Sequence, residues 1–120
     1  MDSDDQAIRT TLFNYFEGVK AADRTRLESA FAVDAGHMKG YSRDKEGKLT
    51  LSVRPMSEVI DGWVRRAPAP EMQGEVLSLQ IISPNSALAS FDFNGVFIDT
   101  FQLARIDGQW KIVNKFYVDK

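Results

Sequence analysis

The sequence predicts an α+β domain in which helices from the first half of the chain pack on one face of a mostly antiparallel sheet. Three observations predict it. Apolar residues recur at steps of three and four near the N-terminus; apolar and polar residues alternate through the second half; and Asn94-Gly95 and Asp107-Gly108 each sit between two alternating runs. A chain of 120 residues is enough for one hydrophobic core, so a single domain over 1–120 is expected, without linker or internal repeat.

In the first helix, residues 4–22, Ile8, Leu12, Tyr15, Phe16 and Val19 form one apolar stripe. Ser3 and Gln6 have the spacing of a capping box, and Asp4 and Asp5 suit the positive first turn. Asp23 is a cap for a short second helix that buries Leu27, Ala30 and Phe31. Gly36 to Tyr41 and Lys48 to Arg54 read as two short strands around the turn-forming Asp44-Lys45-Glu46-Gly47, with Leu49, Leu51 and Val53 on one face. Met56, Val59, Ile60, Trp63 and Val64 return to helical spacing until Ala67-Pro68-Ala69-Pro70 ends the third helix. Four strands follow, over 73–82, 87–93, 96–106 and 109–118. Their consecutive hairpins predict antiparallel pairing with no parallel βαβ crossover.

Composition narrows the chemistry. With no cysteine, disulfides, thiolate metal sites and cysteine nucleophiles are excluded, and with one histidine so is a two-histidine relay. Lys and Arg number 15 against 17 Asp and Glu, which lacks the basic excess of a nucleic-acid binder. The acidic start Met1-Asp2-Ser3-Asp4-Asp5 is unlike a signal peptide, and no apolar run is long enough to span a bilayer, so a soluble cytoplasmic protein without a membrane partner is expected. No glycine-rich phosphate loop, nucleophile elbow or carboxylate metal motif is present, and no cofactor is expected.

The chain resembles the nuclear transport factor 2-like superfamily, and within it the polyketide-cyclase-like and putative lumazine-binding branches. The residues that carry the resemblance are Tyr15-Phe16 in the first helix, then Phe31, Asp34 and Ala35, and the terminal run from Asp107-Gly108-Gln109-Trp110 to Lys115. The resemblance implies a cone-shaped, cystatin-like curved sheet with three helices on its concave face and a hydrophobic pocket beneath them. It leaves activity open, since this fold hosts isomerases, dehydratases, cyclases, carriers and association domains. Two departures stand out. Ala32-Val33 replaces the His-Pro pair usual in the lumazine-binding branch, and Gly36 to Tyr41 lacks the general-base carboxylate that steroid-isomerase relatives carry on the first strand.

Asp99 is the leading candidate for chemistry. It shares parity with Phe97, Phe101 and Leu103, so on a cavity-facing side its burial would favour the neutral carboxyl and suit it to general acid or base work. The other reading is a solvated or Lys-paired residue near a strand end. Asn114 falls opposite the Asp99–Gln102 region across the last hairpin, whereas Lys115, on the other parity, reaches Asp99 only if a bulge re-aims one of them. His37, the one side chain that ordinarily titrates near neutrality, shares parity with Lys39 and Tyr41 and is the second catalytic candidate. Tyr15, Phe16 and Trp63 from the helices, with Tyr41, Phe101, Asn114 and Phe116 from the sheet, are the expected pocket lining. Residues 36–66 hold seven basic residues against four acidic, an excess able to attract an anionic ligand or simply to be solvated.

Two functions follow as expectations. One is binding of a small hydrophobic or aromatic ligand, with isomerase, cyclase or dehydratase proton transfer at Asp99 assisted by Tyr15 or His37. The alternative is a non-catalytic association domain, a homodimer through the sheet face that carries Val96, Ile98 and Ile106.

Overall fold

Ile8, Leu12, Tyr15 and Phe16 lie on one side of a helix over Ser3–Ala21 (α1) and are all buried. The computed structural model describes residues 3–120; Met1 and Asp2, the first residues of the acidic start, lie outside them. α1 ends where Ala22 turns left-handed, at φ 54°, and Asp23 then accepts a 3.2 Å bond from the Arg26 amide to cap α2, Arg24–Ala30. The two helices meet at Gly18, where a Cβ would lie 2.7 Å from Leu27 Cγ, so only glycine allows this approach.

The strands are β1 (His37–Arg43), β2 (Leu49–Pro55), β3 (Gly74–Ser83), β4 (Ser86–Phe93), β5 (Phe97–Ile106) and β6 (Gln109–Asp119), with helix α3 (Met56–Trp63) between β2 and β3. Asn94-Gly95 and Asp107-Gly108 all have positive φ, the backbone that tight hairpins require, so β4–β5 and β5–β6 turn where the sequence predicts. Asp44 closes the β1–β2 loop by accepting from the Glu46 and Lys48 amides at 2.9 Å. No helix among the described residues is long and apolar enough to cross a membrane.

The strand order is β2-β1-β6-β5-β4-β3, a curled six-stranded sheet with the helices on one face. The α+β architecture and the mostly antiparallel sheet are therefore as predicted, with one parallel pair. β1 runs parallel to β6, from His37 beside Asn114 to Tyr41 beside Val118. Hairpin signals report only on strands adjacent in sequence, and this pair is separated by α3 and four strands.

Two further differences decide what faces the helices. Leu49, Leu51 and Val53 do share a face, but it is the outer one, at 40, 58 and 55 % exposure. In β6, pairing with β5 steps from Asn114 opposite Gln102 to Ile112 opposite Leu103, leaving Val113 unpartnered. This bulge reverses the facing of the strand. Before it Trp110 and Ile112 are buried against the helices; after it Lys115 is buried, and Tyr117 packs against the core.

Between the layers lies an aromatic core centred on Tyr15. The rings of Phe31, Trp63 and Phe101 each have centroids 5.6 Å from that of Tyr15, and Phe93 is at 5.8 Å.

Candidate functional site

β5 points Asp99 toward the helices in mid-sheet, where it is 1 % exposed. α1 brings the Tyr15 hydroxyl to it, donating a 2.7 Å hydrogen bond to Oδ2. The β6 bulge brings Lys115, whose Nζ lies 3.1 Å from Oδ1. Tyr117 is the direct cross-strand partner of Asp99 and Lys115 its diagonal neighbour, which makes the ion pair a consequence of register.

Lys115 is 3 % exposed. Its ammonium lies 4.8, 5.5 and 5.8 Å from the ring centroids of Tyr117, Tyr15 and Trp63, and Nζ donates to Met38 Sδ at 3.5 Å. The Tyr117 ring has room because Gly40 faces it from β1; a Cβ there would stand 2.1 Å from Tyr117 Cζ. Burial pushes the Lys115 amine down from its ordinary 10.5, against the opposing pull of the Asp99 charge and hydrogen bond. Burial first, and then the Asp99 charge and hydrogen bond, push the Tyr15 phenol well above 10.0. Tyr15 is thus a hydrogen-bond donor throughout the neutral range.

These three side chains border a cavity of about 310 Å³. Tyr15 and Val19 of α1 and Val59, Gly62 and Trp63 of α3 form its helical side. Phe93, Phe97, Met38 and Tyr117 add apolar and aromatic wall from the sheet, and Ala67, Ala69 and Met72 close it from the segment after α3. Arg54 and Arg66 are its remaining charged residues. The result is a small, mainly aromatic chamber with an ionic, hydrogen-bonded cluster on its sheet side, the general form of a small-molecule site.

A family model described as "Putative lumazine-binding" matches residues 3–118. The chain belongs to that family. A nuclear transport factor 2-like protein of unknown function from Shewanella baltica is 29 % identical, with a TM-score of 0.79 over 95 % of this chain and 91 % of that one. Another from Methylobacillus flagellatus is 26 % identical, with a TM-score of 0.83 over 100 % of this chain and 94 % of that one. A putative dehydratase of the same superfamily from Streptomyces avermitilis, at 12 % identity, a TM-score of 0.68 and coverage of 99 % and 97 %, is alike in fold alone. No curated protein matches the sequence. The superfamily and the lumazine-binding branch inferred from Tyr15-Phe16, Asp34-Ala35 and the Asp107–Lys115 run are thus shown.

Within this family member, the residues singled out from the sequence do not all converge. Asp99, Tyr15 and Trp63 border the cavity. Phe16 and Phe101 are fully buried in the core beside it, Phe16 against Phe91 at 5.5 Å and Phe101 against Tyr15, so they support the wall without forming it.

His37 and Tyr41 are exposed on the outer face, because β1 turns Met38 and Gly40 inward. His37 therefore does not join Asp99. Asn114 and Phe116 also face outward, since the bulge at Val113 reverses the parity counted from Trp110. Asn114 does pair with Gln102 in register, but its side chain accepts from Lys39 Nζ at 2.7 Å and donates to Gln102 Oε1 at 3.3 Å on the far side of the sheet. With Phe116 it borders a broader depression of about 610 Å³ there, away from Asp99.

The sequence reading missed Met38, Phe93, Tyr117, Arg54 and Arg66 as cavity residues, and admitted Lys115 only through a bulge. No residue pattern marks Val113 as the bulged position. A buried-length strand carrying Lys115 between aromatics Phe116 and Trp110 is the one signal that could have raised the question.

Proposed function

We propose that this protein binds a small, partly aromatic or apolar molecule in the cavity and performs a cofactor-free proton transfer on it, as an isomerase, cyclase or dehydratase does. Asp99 takes and returns the proton. The observation that supports this reading is a carboxylate 1 % exposed that still borders open space large enough for a ligand. An ion pair serving the fold alone would be expected to sit among packed atoms.

Each Asp99 oxygen accepts one bond from the protein, from Tyr15 or Lys115, and a carboxylate oxygen has a further lone pair for a ligand proton. When a C–H proton passes to Asp99, the electron pair moves into an adjacent carbonyl or expels a neighbouring hydroxyl. The Lys115 ammonium stands where it can stabilise the oxyanion so formed. Tyr15 holds the carboxylate in one orientation. The apolar remainder of the cavity excludes water and accommodates the body of the ligand. The Streptomyces avermitilis neighbour supports only the suitability of the scaffold, and the family description supports a small-molecule ligand without naming which one.

The test is a thermal-shift screen with aromatic and polyketide-like compounds, followed by turnover assays on whatever binds. A ligand at ~100 times its Kd stabilises the fold by about 2.7 kcal/mol. Asp99→Asn is expected to keep the ligand-induced shift and lose turnover. Equal turnover by folded wild type and variant would remove Asp99 as the base.

A second reading, homodimeric association through the outer sheet face, is favoured by a separate observation. Tyr41, Leu51, Val53 and Leu88 on that face are 42 to 58 % exposed, and Val96 and Ile106 are 50 and 42 % exposed. Light scattering at micromolar concentration tests it: a dimer mass supports the reading, and a monomer removes it.

A further inference from the structure

The charges bordering the cavity are unequal in a way that the proton-transfer reading does not use. Lys115 and Asp99 offset one another, which leaves the guanidinium groups of Arg54 and Arg66 with no further carboxylate on the cavity wall. Arg66 has no carboxylate within 4.0 Å among the described residues. The one carboxylate near Arg54 is that of Glu58, at 3.6 Å with both side chains well exposed, a weak and screened contact. The head of Arg54 reaches the chamber: its Nη2 lies 3.9 Å from where a Cβ on the wall residue Gly62 would be.

From this we propose that the ligand is a small organic carboxylate, with its acid group held by Arg54 and Arg66 and its apolar body lying among Trp63, Phe93 and Phe97 toward Asp99. The proposal rests on the reading of this cavity as the ligand site. A guanidinium offers two parallel N–H donors that match a carboxylate, and two such groups without a firm protein partner make an anion receptor. Phosphate fits less well. α3 meets the cavity through Val59, Gly62 and Trp63, from its fourth residue onward, and not through Met56, Ser57 or Glu58, whose N-terminal amides could cradle a phosphate. At about 310 Å³ the chamber lies at the small end of ligand sites, which suits a monocyclic or short-chain acid. The basic excess between residues 36 and 66 thereby acquires a structural meaning for two of its members.

Matched acid and amide pairs test this directly: benzoate with benzamide, phenylacetate with phenylacetamide, cinnamate with cinnamamide. Affinities are read by NMR titration, with the Trp63 indole and the Tyr117 amide as cavity reporters. The acids are expected to bind roughly tenfold tighter than their amides, the scale of one charge-assisted contact, and to weaken as salt is added. Arg54→Gln with Arg66→Gln, the first at a half-buried and the second at an exposed position, is expected to bring each acid down to the level of its amide while the amide is unaffected. If amides shift the cavity reporters as strongly as acids, or the double variant keeps the preference, the carboxylate assignment is wrong and the cavity remains the ligand site. If no compound moves the reporters, both readings fail.

Discussion

Asp99 and Lys115 stand 3.1 Å apart on the cavity side of the sheet because the backbone slips by one residue at Val113. Counted from Trp110 without the slip, β6 would send Lys115 to the outer face and leave Asp99 buried with Tyr15 alone.

Breaking this pair from one side should cost far more than removing it whole. Lys115→Met leaves a buried carboxylate without its cation and is expected to lower unfolding stability by about 3–5 kcal/mol. The double variant Asp99→Asn with Lys115→Met should recover most of that loss. Urea denaturation of the two single variants and the double completes the cycle; additive losses would mean that the two charges are not coupled.

The alkaline limb of stability reports on Tyr15. Its native pKa lies well above 10.0, so above about pH 10 the unfolded chain gives up this proton while the native state retains it, and stability falls as pH rises. Lys115 acts in the opposite sense. Its native pKa lies below 10.5, so between the two values the unfolded state binds more protons and stability rises with pH. Tyr15→Phe should cost about 1 kcal/mol at neutral pH for the lost hydrogen bond and flatten the decline above pH 10. Urea midpoints from pH 8 to 11 measure both effects.

Gly40 and Tyr117 should be coupled. A methyl group at 40 would lie 2.1 Å from Tyr117 Cζ, so Gly40→Ala has to displace the ring that covers the Lys115 ammonium. A loss of about 1–3 kcal/mol is expected, and Tyr117→Leu in the same chain should return much of it. Thermal unfolding of the four combinations decides the matter.

The outer-face residues should be dispensable for binding. His37→Ala and Asn114→Ala are expected to change stability by about 0.5 kcal/mol or less and to leave ligand-induced thermal shifts as in wild type. A lost shift in His37→Ala would return that imidazole to the site.

Local signals account for what the sequence revealed. The helical stripe through Ile8, Leu12 and Tyr15, the Asp23 cap and the two positive-φ hairpins depend on residues a few positions apart, and each appears where expected. Parity placed Asp99 with Phe101 and Leu103 correctly, because β5 runs unbroken against β4. What failed depends on distant partners. The parallel β1–β6 pair, the inward turn of Met38 rather than His37, and the outward turn of Asn114 are all set by how remote strands dock. Arg54 and Arg66 flank α3 in sequence, but only tertiary packing carries them to the same cavity as Asp99.

The proposed function requires Asp99 to move a proton to and from a bound ligand. It is tested most directly by incubating a cavity-binding carbon acid with the protein in D2O and following loss of its acidic C–H signal by proton NMR. Exchange is expected to be catalysed by wild type and reduced at least ~100-fold, the scale of one general base, in Asp99→Asn that still binds the ligand. Exchange at equal rates in the two proteins would remove Asp99 as the base.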